Sequence, residues 1–463
     1  MSNVGNSPES RDIAYVMHPY TNQEKHKEIG PMIAEKGEGV WITDTNGNKY
    51  IEGMAGLWST SLGFNEQRLV DAATKQMQEL PYYHLFAHKT TNPAIELAER
   101  LVKMAPVPMA QAFFCNSGSE ATDTVVKMVW YYNNAKGRKD KKKIIARTKG
   151  YHGVTVAAAS MTGLPYNHLD FDLPIANIMH TDCPHYYRFG EEGESEEDFA
   201  TRMADSLEKK ILDEGPETVA AFIAEPVMGA GGVILPPKTY FEKVQAVLKK
   251  YDVLFIADEV ICGFARTGNI FGSETFDLKP DMMTVAKALS SSYLPISAVI
   301  VNEDVASTIS TNSGKIGTFG HGYTYSGHPV SAAVAVETLK IYEERDILGH
   351  VRSVAHHLQD GLRKFADHPL VGEVRGTGLI AAVELVANKE TKENFDPKMA
   401  VGPHLVGRAQ EHGAILRAMG GDGVAFSPPL IITGEELDML VERFGKALDD
   451  TANWLRETGQ WNG

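Results

Sequence analysis

The sequence predicts an α/β protein built on a mainly parallel β-sheet, and three observations lead to this prediction. Short apolar runs alternate with stretches of helical periodicity through the middle of the chain. The runs are dominated by Val, Ile, Leu, Phe and Ala, as in strands that helices cover on both faces. The chain has 463 residues and 43% hydrophobic content, which is enough for a large core. The predicted strands lie at 112–115, 143–147, 219–225, 253–260 and 298–301.

Before these strands, the segment GVWITDTNGNKYIEG predicts a β-hairpin, because two β-rich runs meet at the turn dipeptide Asn46-Gly47. Helical periodicity begins after about residue 66. We therefore expect residues 1–70 to form an N-terminal segment that packs with a smaller domain, and residues 71–325 to form the large α/β domain.

Residues 326–463 predict the smaller α+β domain. Two amphipathic helical patterns come first, and VGEVRGTGLIAAVELV then predicts two strands about a glycine turn. The stretch GTGLIA at 376–381 is a weak match to a nicotinamide-binding motif, but it precedes a strand rather than a helix, so we interpret it as that turn. Thr433 and Glu436 have capping-box spacing and predict the start of the last helix.

Composition narrows the possible partners and the location. The formal charge is −15 without a basic tail, which disfavours nucleic acid and anionic membranes as partners. The three cysteines form no CxxC pair and HExxH is absent, so neither a disulfide framework nor a metal site is indicated. No apolar segment approaches the ~20 residues that cross a bilayer. These features predict a cytoplasmic protein.

Polar residues at the ends of the predicted strands are the first candidates for a site, because ligands bind beyond the carboxyl ends of strands in open α/β sheets. VLFIADEV ends in Asp258 and Glu259, which fit either a ligand contact or a cap. Ser117, Gly118 and Ser119 lead from a strand into a helix, where free N–H groups can bind a phosphate. An ordinary helix cap has the same appearance.

Three further residues follow predicted strands. Tyr151 and His152 come just after the strand at 143–147, where an aromatic ring can lie against a planar ligand or fill a turn. Glu225 ends the run VAAFIAE and precedes a glycine-rich loop. Each of these features, taken alone, also fits a structural role.

Lys287 is the most informative residue, because it is the only charge after Asp281 in the apolar stretch PDMMTVAKALSSSYLPISAVIV. Such a lysine reaches solvent, finds a partner or loses its proton. A neutral lysine amine can form a Schiff base, and a phosphate seat, an aromatic surface and a carboxylate are what pyridoxal 5'-phosphate requires around it. The set of features therefore predicts this cofactor.

The motifs also resemble those of a known family, the class-III aminotransferases of the pyridoxal-phosphate fold type I group, and within it the amine or omega-amino-acid:pyruvate transaminases. The resemblance covers nearly the whole chain. It implies a seven-stranded, mainly parallel sheet in a large cofactor-binding domain, with a smaller α+β domain. The motifs that carry it are NSGSEA at 116–121, KGYHG at 149–153, AEPV at 224–227, DEVICGF at 258–264, AKALSSSYLP at 286–295, TYSGHPV at 324–330 and SPPLIIT at 427–433.

The resemblance also implies roles for individual residues. Lys287 resembles the lysine that forms the Schiff base, and Asp258 resembles the aspartate that pairs with the pyridine nitrogen. Tyr151 resembles the tyrosine that stacks on the ring, with Val260 on its opposite face. The phosphate contacts would come from Ser117, Gly118 and Ser119, and His152 and Glu225 are expected among the other cofactor-binding residues. Thr324 resembles a residue that reaches the cofactor of the neighbouring subunit, which implies a homodimer.

For the substrate, the resemblance implies that Arg417 binds a carboxylate and swings away for an uncharged amine. Tyr151 is also expected to contact the substrate. The expected apolar pocket residues are Leu57, Trp58, Phe86, Ala230 and Ile261. The sequence departs from the family at Ala265, Ala288 and Ser297, where glycine is common, and we expect less backbone freedom there.

The resulting hypothesis is a transaminase that moves an amino group from an amine or omega-amino acid to pyruvate, giving alanine by a ping-pong mechanism with a pyridoxamine 5'-phosphate form as intermediate. Three alternatives remain at this point. One is an aminomutase or decarboxylase of the same fold. Another is a nicotinamide oxidoreductase, disfavoured by the missing strand-GxGxxG-helix unit. The last is a non-catalytic regulator, disfavoured by the missing basic patch.

Overall fold

The computed structural model describes residues 5–459 and 461, and they form three β-sheets surrounded by helices. The strands are β1 (Ala34–Glu38), β2 (Trp41–Asp44), β3 (Lys49–Glu52), β4 (Gln111–Cys115), β5 (Lys143–Arg147), β6 (Ile178–Thr181), β7 (Val219–Ala224), β8 (Leu254–Asp258), β9 (Met282–Val285), β10 (Ser297–Val301), β11 (Val371–Thr377), β12 (Ile380–Leu385), β13 (Ala414–Ile415), β14 (Arg417–Met419) and β15 (Gly423–Phe426).

Helices cover both faces of the central sheet and surround the smaller sheets. They are α1 (Pro8–Tyr15), α2 (Gln23–Ile29), the irregular turn α3 (Ala55–Trp58), α4 (Gln67–Glu79), α5 (Asn92–Met104), α6 (Gly118–Ala135), α7 (Val156–Met161), α8 (Tyr186–Phe189), α9 (Glu196–Glu214), α10 (Tyr240–Lys250), α11 (Gly272–Thr275), α12 (Glu303–Ile316), α13 (Pro329–Glu344), α14 (Ile347–Arg363), α15 (Val401–Glu411) and α16 (Gly434–Glu457). Short 3₁₀ turns lie at Pro165–Asn167, Lys287–Ser290 and Pro397–Met399. No helix among the described residues is both long and apolar enough to cross a membrane.

The seven-stranded central sheet has the order β4-β10-β9-β8-β7-β5-β6. Only β10 runs against the others, because it pairs antiparallel with both β4 and β9. The prediction of a mainly parallel sheet is therefore confirmed. The five apolar runs form strands as predicted, whereas β6 and β9 were missed. β6 carries a histidine, and the apolar run that contains β9 continues directly into Lys287, so neither stood out as a separate strand.

Two four-stranded sheets complete the fold. The predicted N-terminal hairpin is confirmed, since β2 and β3 pair antiparallel on either side of Asn46-Gly47. β13 then pairs parallel with β3, so the N-terminal hairpin shares a sheet with a strand near the C-terminus. The other sheet has the order β11-β12-β15-β14. The stretch at 376–381 forms the turn between β11 and β12, with Gly378 at φ 55°.

The carboxyl ends of the parallel strands lie at one edge of the central sheet and are followed by the polar residues of the site. Strand β8 ends at Asp258, β7 is followed by Glu225, and Tyr151 lies four residues beyond β5. Lys287 comes two residues after β9. Because β7, β8 and β9 are buried along their whole length, these residues are presented from a rigid support.

Candidate active site

Lys287 begins a 3₁₀ turn directly after β9, and its backbone is in the left-handed region at φ 50°. The side chain keeps some exposure at the wall of the site, while its surroundings exclude most water. This desolvation lowers the pKa of the amine to about 8, although the carboxylates of Asp258 and Glu225 act in the opposite direction. The Arg417 guanidinium contributes to lowering the pKa. Lys287 is thus available as a nucleophilic amine near neutral pH.

Asp258 is fixed at the end of β8 by three hydrogen bonds. Its Oδ2 lies 2.8 Å from His152 Nδ1, and its Oδ1 accepts hydrogen bonds from the backbone N–H of Val260 and from the Thr284 hydroxyl, both at 3.1 Å. Asp258 is 3% exposed. A carboxylate held in this way can pair with a ring nitrogen without rearranging. His152 Nε2 is buried and has no hydrogen-bond partner among the described residues.

The predicted phosphate seat lies at the start of α6. The Ser117 hydroxyl accepts a hydrogen bond from the Glu120 N–H at 3.2 Å and caps the helix. The Cβ of any larger residue at 118 would lie 3.1 Å from a Val260 methyl group, so the loop passes directly beside Val260. Ser119 Oγ accepts a hydrogen bond from the Val154 N–H at 3.0 Å. The helix N-terminus, the serines and the close approach at Gly118 suit a phosphate.

The segment that contains Tyr151 is positioned by Glu225. Glu225 Oε1 accepts a hydrogen bond from the Tyr151 N–H, and Oε2 accepts one from the Gly229 N–H, both at 2.9 Å. Burial raises the pKa of the Glu225 carboxyl, with the nearby Asp258 charge adding to the effect. Burial also raises the pKa of the Tyr151 phenol, and a neighbouring tyrosine, Tyr20, raises it further.

Two of the residues predicted to line a substrate pocket, Trp58 and Ile261, are buried and apolar. Trp58 and Ile261 belong to one buried cluster that also contains Met419, two residues from Arg417. A Cβ at Gly229, next to Ala230, would lie 2.5 Å from the end of the Ile261 side chain. Arg417 itself begins β14 and is half-buried. Within the described part of the chain, its guanidinium has no carboxylate within 4.0 Å.

Besides Ser117 of the phosphate seat, three of the predicted site residues are exposed on the surface of the chain. Leu57 is 56% exposed and Phe86 is 46% exposed. Thr324 is also exposed, and its carbonyl accepts a hydrogen bond from the Tyr82 hydroxyl at 2.7 Å. Phe86 packs against Gly322, two residues before Thr324, so Phe86 and Thr324 belong to the same surface region.

The structure adds residues that the sequence analysis missed. Tyr20 lies near Tyr151 and packs against Tyr166 with ring centroids 6.2 Å apart, while its hydroxyl accepts a hydrogen bond from Asn167 Nδ2 at 2.6 Å. Arg417 is near enough to affect the pKa values of Tyr151 and Tyr166. No local pattern marked Tyr20, because it lies in a polar leader far from the other residues in sequence.

The three departures from the family pattern have different consequences. Ala265 has φ 75°, where a Cβ is strained. Ser297 does more than reduce backbone freedom, since its hydroxyl donates a hydrogen bond of 2.7 Å to the Ser117 carbonyl and so supports the loop before α6. The Ala288 carbonyl accepts a hydrogen bond of 2.6 Å from Tyr342, which fixes the turn after Lys287.

Comparison with known proteins identifies the family. Residues 21–448 match the family model described as aminotransferase class-III. This chain belongs to the class-III aminotransferases. The fold is that of the fold type I transferases, and the family uses pyridoxal 5'-phosphate, as predicted. The residues around Lys287 fit this cofactor, because they combine an amine of lowered pKa, a fixed carboxylate, a half-buried tyrosine and a helix N-terminus.

Several individual class-III aminotransferases are similar to this one along most of its length. A gamma aminobutyrate transaminase from Solanum lycopersicum, described as chloroplastic, is 55% identical over 443 residues, which is 96% of this chain and 85% of that protein. Vanillin aminotransferase from Capsicum annuum is 51% identical over 458 residues, which is 99% of this chain and 99% of that protein.

Solved structures of class-III aminotransferases superimpose closely on this one. The omega transaminase from Pseudomonas jessenii in complex with PMP has a TM-score of 0.96 and 59% identity, covering 97% of this chain and 99% of that chain. A thermostable omega transaminase variant has a TM-score of 0.96 and 58% identity, and the match covers 97% of this chain and 100% of that chain. In that variant a tryptophan, a phenylalanine and an arginine were replaced for the synthesis of bulky amines.

Proposed function

We propose that this aminotransferase takes its amino group from an amine or an omega-amino acid and passes it to pyruvate, which becomes alanine. The observation that carries this proposal is the position of Arg417. Its guanidinium has no carboxylate partner within 4.0 Å among the described residues. Arg417 is two residues from Met419 of the buried apolar cluster that contains Trp58 and Ile261, and it is near enough to Lys287 to affect its pKa. Such an arginine can bind a keto-acid carboxylate, while the apolar walls accept an uncharged amine.

The names of similar proteins support this substrate range. Gamma aminobutyrate is an omega-amino acid, and vanillin is an aryl aldehyde that transamination relates to an aryl amine. The variant made for bulky amines changes a tryptophan, a phenylalanine and an arginine, the residue types of Trp58, Phe86 and Arg417 here. The choice of pyruvate as acceptor rests on the family resemblance and on Arg417.

When bound, pyridoxal phosphate supplies an electron-withdrawing ring that stabilises negative charge on the substrate carbon. We propose that Lys287 and Asp258 hold its reactive end and its ring nitrogen, with Tyr151 and Val260 on the two faces. Ser117, Gly118 and Ser119 would bind the phosphate. Because its pKa is low, Lys287 Nζ is suited to take the proton from the substrate carbon and to return it.

Beyond the reaction itself, we propose that the enzyme works as a homodimer in the cytoplasm. Support for the dimer comes from Thr324, which is exposed and resembles a residue that reaches the cofactor of the neighbouring subunit, and from the exposed Phe86 in the same surface region. Support for a reducing compartment comes from the three cysteines, which are buried and unpaired. Because relatives include chloroplastic and mitochondrial proteins, fractionation of the source cells with antibody detection tests the location.

The reaction is tested by incubating the enzyme with pyruvate and an omega-amino acid or a benzylamine, and by measuring alanine and the carbonyl product together. Equal amounts of the two products are expected. A rearranged amine would indicate an aminomutase, and release of carbon dioxide without alanine would indicate a decarboxylase. Turnover with another keto acid but not with pyruvate would contradict the proposed acceptor.

The role of Arg417 is tested in the same assay with Arg417→Ala. Loss of a charge-assisted pair with the carboxylate should raise the KM for pyruvate at least about tenfold, while the KM for benzylamine changes less than about twofold. Arg408→Ala is the matched control, because this surface arginine pairs with Asp450. Equal losses for pyruvate and benzylamine would remove Arg417 from carboxylate binding.

A further inference from the structure

The N-terminal helices α1 and α2 hold a short loop, residues 16–22, against the active site. Tyr20 lies in this loop with φ 50°, and its hydroxyl is bonded to Asn167. Gln23 Nε2 donates hydrogen bonds to the His18 carbonyl at 2.6 Å and to the Thr21 carbonyl at 3.2 Å, which closes the loop on itself. Contacts that hold α1 and α2 together therefore also hold the position of Tyr20.

The contact between α1 and α2 is made by Asp12, His18 and His26. Asp12 Oδ2 lies 2.9 Å from His18 Nε2 and also 2.9 Å from His26 Nε2. The two imidazole rings are 4.1 Å apart between centroids and tilted by 43°. The three side chains are 11–27% exposed, so they are reachable from solvent but protected by the helices.

We propose that Asp12, His18 and His26 form a binding site for a divalent transition metal of the zinc class. Their three donor atoms all lie within 4.8 Å of one another, and the ligands of a tetrahedral zinc ion are separated by roughly 3.3 Å. Two histidines and one carboxylate are donors that Zn²⁺ accepts, and the fourth position is left to water. On binding, each imidazole presents its Nε2 lone pair to the ion and carries its proton on Nδ1, and any second proton on an imidazole leaves to solvent.

The charges around this cluster distinguish it from a second group of similar composition. His185, Glu373 and Glu384 also place three potential ligands together. There, Arg375 Nη1 bonds both carboxylates at 2.5 Å, and Arg188 bonds Glu384 as well, so arginines already neutralise the acidic ligands.

Around Asp12, by contrast, the described ion pairs involve only the two histidines. No arginine or lysine competes with a metal for this carboxylate in the part of the chain that the structure describes. A metal ion at this site would therefore displace no competing side-chain cation other than the two histidines that would bind it.

A metal at this position would lock the loop from both sides, because His18 is two residues before Tyr20 and His26 lies in α2 beyond it. The ion would thus hold Tyr20 beside Tyr151 and the substrate pocket. This consequence for the substrate rests on the proposed function. The metal site itself does not, since uptake of an ion needs no turnover.

The experiment uses the untagged holoenzyme, treated with a chelator, desalted and then dialysed against ZnCl₂. Bound zinc is measured by atomic emission, and CoCl₂ in a parallel sample gives the visible absorption of a tetrahedral site. We expect one ion per chain in the wild type. His18→Gln and His26→Gln should weaken zinc binding at least about tenfold, since even the loss of a supporting partner has an effect of this size.

His412→Gln is the matched control, because His412 Nε2 pairs with Asp450 Oδ2 at 2.8 Å without a second histidine. This variant should bind zinc like the wild type. Asp12→Asn provides a second test if a histidine variant does not fold, and it should also lower zinc affinity. Absence of zinc uptake by the wild type, or equal uptake by the wild type and the Asp12, His18 and His26 variants, would overturn the proposal.

Discussion

Lys287 is held in surroundings that lower the pKa of its amine, so that a larger fraction is neutral near physiological pH than for an exposed lysine. The loss of hydration outweighs the attraction of the Asp258 and Glu225 carboxylates, so the pKa falls rather than rises. The carboxylates are also committed elsewhere, Asp258 to His152 and Glu225 to two backbone N–H groups. The same residues thus keep the lysine reactive and hold the surrounding loops in place.

This low pKa predicts a pH-dependent stability of the cofactor-free protein. Lys287 titrates near 8 when folded and near 10.5 when unfolded, so the unfolded chain binds more protons between these values. The free energy of unfolding should therefore rise with pH across this range, by at most roughly 3 kcal/mol. Lys287→Met should be more stable than the wild type near neutral pH and lose this rise.

Urea unfolding of both cofactor-free proteins at about pH 7, 9 and 10 measures the difference. Lys249→Met serves as control, because Lys249 is exposed on α10 and should leave the pH profile unchanged. Parallel profiles for the wild type and Lys287→Met would show that the amine is not desolvated.

At the scale of elements, the sequence was most informative where a pattern is local. The hairpin at Asn46-Gly47, the turn at Gly378 and the cap at Thr433 depend on neighbouring residues, and all three have the predicted form. β6 and β9 were missed because neither is a separate apolar run in the sequence: β6 contains His180, and the run of β9 continues into Lys287. The boundaries at residues 70 and 325 stay a prediction.

In the candidate site, too, the features set by neighbouring residues were predicted and the contacts between distant segments were not. Asp258 and Ser117 lie where strand ends predicted them. The contact of Tyr20 with the site, and the bond from Ser297 to the Ser117 carbonyl, join segments more than a hundred residues apart. The hydrophobic pattern of one sequence does not show which distant residues will contact each other.

The start of α16 gives a prediction for a single element. Thr433 and Glu436 exchange the hydrogen bonds of a capping box, and Glu436 also accepts one from the Trp41 indole at 3.0 Å, which ties the helix to β2. Thr433→Ala should lower the free energy of unfolding by about 1 kcal/mol. Glu436→Ala should lower it by about 2 kcal/mol, because it also leaves Trp41 without its acceptor.

Thermal or urea unfolding of the holoenzyme measures both variants, with Glu435→Ala as the control from the same helical turn. Glu435 is exposed and outside the capping box, so its removal should have little effect. If Thr433→Ala and Glu436→Ala were equal, the bond to Trp41 would contribute nothing.

At the scale of the whole molecule, several large aromatic side chains are exposed close together on one surface. Tyr82, Tyr83, Phe86 and Tyr325 are each at least 36% exposed, and the rings of Tyr82 and Tyr325 are 6.0 Å apart. Exposed apolar groups concentrated in this way mark a protein interface. Thr324 lies in the same region, so an interface here would bring it to a second subunit.

Mixed dimers test whether Thr324 serves the neighbouring active site. Lys287→Ala removes the amine and Thr324→Arg blocks the surface, so each homodimer should be inactive. If Thr324 completes the partner's site, a mixed dimer contains one site with both Lys287 and Thr324 intact. Equal amounts of the two variants, unfolded and refolded together with cofactor, should then recover about a quarter of wild-type activity, because half of the dimers are mixed and each has one working site.

If Thr324 served its own chain, both sites of the mixed dimer would carry a defect and no activity would return. Refolding each variant alone controls for residual turnover, and sedimentation of the mixture checks that dimers form. A monomer with full wild-type activity would also contradict a site shared between subunits. In a monomer, Thr324 and Phe86 would have no second active site to contact.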